Sequence, residues 1–156
     1  MLLTVLPLAG FACAKEPPKA PHDLHPIPEA RAADLVERVF RDAGLETDVN
    51  RFVEMGKGRR IRLEVAAKGH SYGVAYVTAV DQELLRGAIP PHPEGNDALV
   101  VEYGEGHQRY LVLYEQDYAE DDISGEEHTS TTIAADRKLE RDVRDFLHRA
   151  KTQAWP

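Results

Sequence analysis

The sequence has little cysteine and no excess of positive charge. Its one cysteine, Cys13, stands near the N-terminus of a chain of 156 residues, so no disulfide is predicted within the folded part. The chain has 19 basic and 27 acidic residues, a formal net charge of −8. Nucleic-acid binding needs a basic footprint, so no nucleic-acid partner is expected. A hydrophobic content of 42% is typical of one globular domain.

The first 14 residues carry no charge and read MLLTVLPLAGFACA. This run is too short to cross a bilayer, which takes about 20 residues, but it has the length of the apolar core of a signal peptide. Cys13 follows Gly10-Phe11-Ala12 at its end, and residues 1–13 resemble the signal and lipobox of bacterial lipoproteins. The resemblance implies that Cys13 receives lipid, that the chain is anchored to a membrane and that it resides in the cell envelope. A plain secretory signal is the alternative.

Residues 14–28 are rich in proline, which fixes φ and removes amide donors. They predict a semi-rigid tether between the anchor and a single domain over residues 29–156. His22 and His25 have an H-x-x-H spacing, but a tether without further ligands does not favour a metal site.

Hydrophobic periodicity predicts the elements of this domain. Two long helices are predicted, over residues 28–43 and 135–150. A short helix is predicted after Thr78, which caps it, with Val80, Leu84 and Leu85 on its buried side. Strands are predicted over 49–55, 60–67, 74–77, 98–103 and 109–115. Short turns between strands favour hairpins. The expected fold is therefore α+β, with a mainly antiparallel sheet of about five strands and two long helices and one short helix on one face.

The pentapeptide GHSYG at residues 69–73 has two interpretations. It resembles the nucleophile elbow of α/β-hydrolases, which implies Ser71 as nucleophile with Asp117 and His128 as partners. Alternatively it is a glycine-bracketed hairpin turn. The preceding strand alternates apolar and charged residues, and the following Val74-Ala75-Tyr76-Val77 favours a strand over a helix. The turn is therefore predicted, and the hydrolase remains the alternative.

An acidic segment follows at residues 115–127, predicted as a loop. Clustered carboxylates can bind Ca²⁺, and the candidate ligands are Asp117, Glu120, Asp121 and Asp122. No EF-hand pattern accompanies them, so a solvated loop or a docking surface for a basic protein is equally consistent. A zinc site from His70, His107 and His128 is weaker still, because their chain positions are scattered. No cofactor is predicted.

These observations favour a lipid-anchored envelope protein whose small domain binds or scaffolds a protein partner without catalysis. A small serine hydrolase that uses Ser71 is one alternative. A module that responds to Ca²⁺, or docks a protein through residues 115–127, is the other.

Overall fold

The computed structural model describes residues 24–55, 58–93, 108–121 and 131–156, and the backbone of 99–103. Cys13, His22, His107, Asp122 and His128 lie outside these ranges, so the lipobox, the H-x-x-H pair and the partners that depend on these residues stay predictions. Within the described ranges, no helix is both long enough and apolar enough to traverse a lipid bilayer.

The described chain forms seven strands and three α-helices. They are β1 (Leu24–Pro26), α1 (Glu29–Asp42), β2 (Thr47–Glu54), β3 (Arg60–Ala67), β4 (Tyr72–Val77), α2 (Ala79–Leu84), β5 (Leu99–Tyr103), β6 (Gln108–Tyr114), β7 (Ala119–Asp121) and α3 (Thr131–Thr152). A 3-10 turn at Glu115–Asp117 joins β6 to β7. The α+β class is therefore confirmed.

The main sheet is mixed, so the prediction of a mainly antiparallel sheet is wrong. Its strand order is β2-β3-β4-β6-β5, and β4 pairs with β6 in parallel, with Tyr72 opposite Arg109 and Val77 opposite Tyr114. The three predicted hairpins form: β2–β3, β3–β4 and β5–β6. The β5–β6 hairpin docks on β4 through β6, which runs in the same direction as β4. Local turns specify each hairpin but not how two hairpins dock.

The predicted number of strands and the edge of the domain also differ from the structure. The structure has seven strands in two sheets, whereas about five strands in one sheet were predicted. The two additional strands, β1 and β7, pair as a separate antiparallel sheet. Leu24 to Pro28 therefore belong to the domain and not to the predicted tether, and Ile27 is buried. The first part of the acidic segment, residues 115–121, is also not the predicted loop. It forms the 3-10 turn and β7, with Tyr118 buried between them.

Only α1 and α3 pack on the sheet, both on one face, which corrects the expectation that all three helices pack there. α1 and α3 cover one face, where Phe40, Leu139 and Phe146 meet Val74 and Leu113. The other face is covered by residues that follow α2. Leu85, Ala88 and Ile89 pack there against Val77 and Val112. A sheet with two apolar faces needs a cover on each, because apolar side chains gain stability when they are removed from water.

Candidate functional site: a groove between β3 and β4

The backbone ladder between β3 and β4 is short. The two strands pair only at Val65 with Val74 and at Ala66 with Gly73, although both continue beyond that point. A side chain at Gly73 would meet the carbonyl oxygen of Val65 at 2.8 Å, so the close approach of the strands requires glycine here. The strands separate on the far side of these pairs, and the separation opens a groove.

Glu64 lies where the strands separate. Its side chain is 2% exposed and accepts a hydrogen bond from the backbone amide of Tyr76 on β4. On the neighbouring strand, Asn50 has a left-handed φ of 55°, and the β2–β3 ladder omits the pair between Asn50 and Glu64. Leu63 and Val65 belong to different core clusters, although residues two apart on a regular strand face one side. The sheet is therefore irregular at this residue.

Arg62 and Tyr76 keep the Glu64 carboxylate hydrogen-bonded. The Arg62 Nε and Nη2 atoms lie 3.3 and 3.1 Å from Glu64 Oε1, and Arg62 also forms an ion pair with Glu29 at the start of α1. Burial raises the pKa of Glu64, while the hydrogen bonds from Tyr76 and Arg62 oppose that rise. The result is a buried carboxylate with partners, at the floor of a surface groove.

The groove has a volume of about 520 Å³, within the range of about 300–1,000 Å³ that is usual for ligand pockets. Three large apolar side chains on its rim face solvent: Phe52 is 58% exposed, Val80 67% and Leu84 68%. The guanidinium of Arg60 lies over the Phe52 ring, 5.5 Å from its centroid. An apolar rim around a few fixed polar groups is the usual design of a binding site.

The exposure of Val80 and Leu84 corrects the prediction that α2 buries them; Leu85 alone is buried as expected. The Thr78 cap itself is confirmed, because Thr78 and Asp81 form a reciprocal capping box. The amide of Ala79 also donates to Glu115 Oε1, at 2.6 Å. These polar contacts set the orientation of α2, and the apolar pair points to solvent.

Sequence reasoning missed Glu64 and Arg62 as site residues. Both alternate with apolar residues on a strand, the pattern of a solvated strand face. The signal that distinguishes Glu64 is its neighbour Asn50, a left-handed residue inside a strand, and φ is not visible in a sequence.

Ser71 lies in the turn between β3 and β4, in an antiparallel hairpin and not in a strand-to-helix elbow. Its hydroxyl donates to the carbonyl oxygen of Pro156 at 2.9 Å, and its amide donates to the same oxygen at 2.8 Å. Asp117 follows β6 at the opposite end of the parallel β4–β6 pair, a separation of at least about 16 Å at 3.3 Å per residue. The structure therefore does not bring Ser71 and Asp117 together.

The candidate Ca²⁺ ligands that the structure describes already bind protein groups. Both carboxylate oxygens of Asp117 lie 2.9 Å from His92 Nε2, within hydrogen-bond distance. Glu120 pairs with Arg31, at 3.0 Å, and Asp121 accepts from the Thr131 hydroxyl, at 2.7 Å. Among the described residues, no three His, Cys, Asp or Glu side chains are grouped to hold a metal ion.

His92 and Asp117 form a second polar site, beside a cavity of about 360 Å³. The His92 ring packs edge-on against Tyr114, with ring centroids 5.0 Å apart. The Tyr114 hydroxyl donates to the carbonyl oxygen of Pro90, at 2.6 Å. These contacts tie the segment after α2 to β6 and the 3-10 turn. They explain how that segment is held on the sheet.

Comparison with known proteins finds no match to this chain among family models, curated proteins or solved structures.

Proposed function

We propose that the chain is a lipid-anchored protein of the cell envelope whose domain binds a protein partner, without catalysis, in the groove between β3 and β4. The observation that carries the binding role is the exposed apolar rim of Phe52, Val80 and Leu84 above the buried Glu64. Exposed apolar side chains grouped around a concavity mark interaction sites, because covering them removes apolar surface from water.

The side chains of the groove favour binding over chemistry. Glu64 and Glu29 share Arg62, and Asp81 is held by the capping box, so each of these polar groups has a structural partner. A general acid or base must reach a proton of the substrate directly. The groove therefore fits recognition of an apolar side chain or a short segment of a partner.

Photocrosslinking in the cells that produce the protein tests this binding site. A benzophenone amino acid at Leu84 should form a discrete adduct, and addition of Phe52→Ser should weaken it. The control is the same probe at Ile133, an apolar residue of α3 that is 45% exposed. Equal labelling at the two positions, or no adduct at Leu84, would contradict the groove as the binding site.

The anchor rests on the residues that resemble a lipobox and is tested separately. Cys13→Ser should move the protein from the membrane fraction to the soluble fraction, because one lipid chain or more is lost. The membranes are washed at an ionic strength of about 1 M, which screens electrostatic attachment beyond about 3 Å. If the membrane fraction is still unchanged, the anchor at Cys13 is wrong. The groove proposal does not depend on that result.

A further inference from the structure

The outward face of α3 is basic although the protein is acidic. Ten residues of α3 are exposed, and six of them are charged. Asp145 is the one acidic residue among the six. The other five are basic: Arg137, Arg141, Arg144, Arg149 and Lys151. The net charge of the whole chain is −8, so this face is a local reversal of sign.

The basic residues form a stripe along one side of the helix. Arg137, Arg141, Arg144, His148 and Lys151 follow one another at spacings of four, three, four and three residues. Residues three and four apart lie on the same side of a helix, and 14 residues at 1.5 Å each give a stripe about 21 Å long. We define these five residues as the basic stripe.

Nearby carboxylates do not neutralise this surface. Glu140 binds Arg144 at 2.6 Å and also binds Arg38 of α1. One carboxylate therefore serves two guanidinium groups. Asp142 similarly lies near Lys138, at 3.1 Å, and Arg141, at 3.6 Å. A surplus of positive charge remains on the outer face of the helical layer.

Helix stability alone does not explain the stripe. Basic residues are favourable in the last turn of a helix because they face its negative end, which accounts for Arg149 and Lys151. That effect falls off within one turn, so it does not reach Arg137 or Arg141. The i,i+4 pair with Glu140 accounts for Arg144, so the positions of Arg137 and Arg141 are the ones that require a different reason.

We propose that the basic stripe of α3 lies on an anionic membrane surface. Anionic headgroups attract a row of basic side chains on an amphipathic helix, by about 1 kcal/mol for each Lys or Arg near the surface. A single acyl chain gives only marginal attachment, and a basic patch is a common second signal. The proposal concerns a surface other than the groove and goes beyond the partner-binding function.

The N-terminal end of the described chain lies where a lipid anchor and the basic stripe could face the same membrane. β1 begins at Leu24 and pairs with β7, and Glu120 of β7 is linked to Asp136 of α3 through Arg31. The chain therefore enters the domain beside the helical layer. Ten residues lie between Cys13 and Leu24, and the eleven Cα-to-Cα steps from one to the other span at most about 40 Å when the chain is fully extended. A lipid at Cys13 and the basic stripe can thus contact one membrane together.

Vesicle sedimentation of the full chain carrying Cys13→Ser isolates the electrostatic contribution from any lipid anchor. At an ionic strength of about 0.01 M, where screening extends over about 30 Å, the protein should bind phosphatidylcholine vesicles that contain about one third phosphatidylglycerol. It should not bind pure phosphatidylcholine. Arg141→Gln with Arg144→Gln should weaken binding about thirtyfold.

The matched control removes two exposed basic residues from other surfaces, Lys68 and Arg86, each of which also pairs with a carboxylate. Lys68→Gln with Arg86→Gln makes the same change in net charge and should alter binding by less than about threefold. Circular dichroism and thermal melting verify that each variant is folded.

Three outcomes would overturn the proposal. They are no binding to anionic vesicles at low ionic strength, an equal loss in the two double variants, and equally tight binding of a DNA duplex that depends on Arg141 and Arg144. The last outcome would assign the stripe to nucleic acid. A failed anchor test leaves this result unaffected, because Cys13 is already replaced.

Discussion

Glu64 of β3 accepts a hydrogen bond from the backbone amide of Tyr76 on β4, at the point where the two strands separate. A side chain there takes the place of a strand partner and keeps an amide of β4 satisfied beside an open groove. An unsatisfied buried amide costs about 1–3 kcal/mol, so this contact makes the separation of the strands tolerable. The groove and the buried carboxylate are thus two results of one irregularity in the sheet.

The first prediction concerns the pH dependence of stability. Burial raises the pKa of Glu64, so the folded state holds its proton more tightly than the unfolded state. Its contribution to stability is fully present below the ordinary pKa of 4.5 and is lost as the pH rises through the folded pKa. Each unit of increase corresponds to about 1.4 kcal/mol. As the pH rises above about 4, the wild type should therefore lose unfolding free energy relative to Glu64→Gln.

Glu140→Gln supplies a control of opposite sign. Burial opposes ionisation of Glu140, but the hydrogen bonds from Arg38 and Arg144 prevail and lower its pKa. The wild type should therefore gain stability relative to Glu140→Gln as the pH rises from acid. Urea denaturation across this pH series measures both differences. Parallel pH profiles for the two variants would contradict the environment described for Glu64.

The second prediction concerns Arg31, which joins three elements. Its guanidinium lies 3.0 Å from Glu120 of β7 and 2.6 Å from Asp136 of α3. Arg31→Met should lower the free energy of unfolding by about 1–3 kcal/mol, because it leaves the buried Glu120 carboxylate without its cation. Adding Glu120→Gln should recover part of this loss. Arg41→Met removes only the exposed pair with Glu37 and should lower stability much less than Arg31→Met does.

The third prediction separates a structural role of Ser71 from a catalytic one. Ser71→Ala removes the hydrogen bond to Pro156 and should cost about 0.5–1.5 kcal/mol in thermal or urea unfolding. The neighbouring Trp155 is the only tryptophan, so its emission reports directly on how the C-terminal residues pack against Tyr72 and Phe146. A fluorophosphonate probe should not label the wild type. Labelling that disappears in Ser71→Ala would instead establish a serine nucleophile.

The fourth prediction concerns Ca²⁺. The carboxylates of Asp117 and Glu120 already bind His92 and Arg31. A cation would have to displace these partners, so millimolar Ca²⁺ should leave the melting temperature unchanged. A ligand that binds only the folded state raises it. A rise that is absent with Mg²⁺ and abolished by Asp121→Asn would restore the acidic segment as a Ca²⁺ site.

The sequence by itself determined the elements whose stability is local. The apolar spacing of α1 and α3, the Thr78–Asp81 capping box and the pairing of β2 with β3 all depend on residues close together in the chain. Within the helix predicted over residues 28–43, five apolar residues at helical spacing are buried: Ala32, Leu35, Val36, Val39 and Phe40. Helical and strand periodicity is written in the chain because it follows from backbone geometry.

Only the tertiary structure decided which distant segments meet. The parallel pairing of β4 with β6, the β1–β7 sheet and the salt bridge from Arg31 to Glu120 join segments far apart in the chain. The candidate site is of the same kind, because Glu64 resembles a solvated residue until Tyr76 of β4 is placed beside it. Non-local packing sets the burial of a charged side chain, and burial determines its chemistry. Periodicity therefore predicted most of the elements and none of the groove.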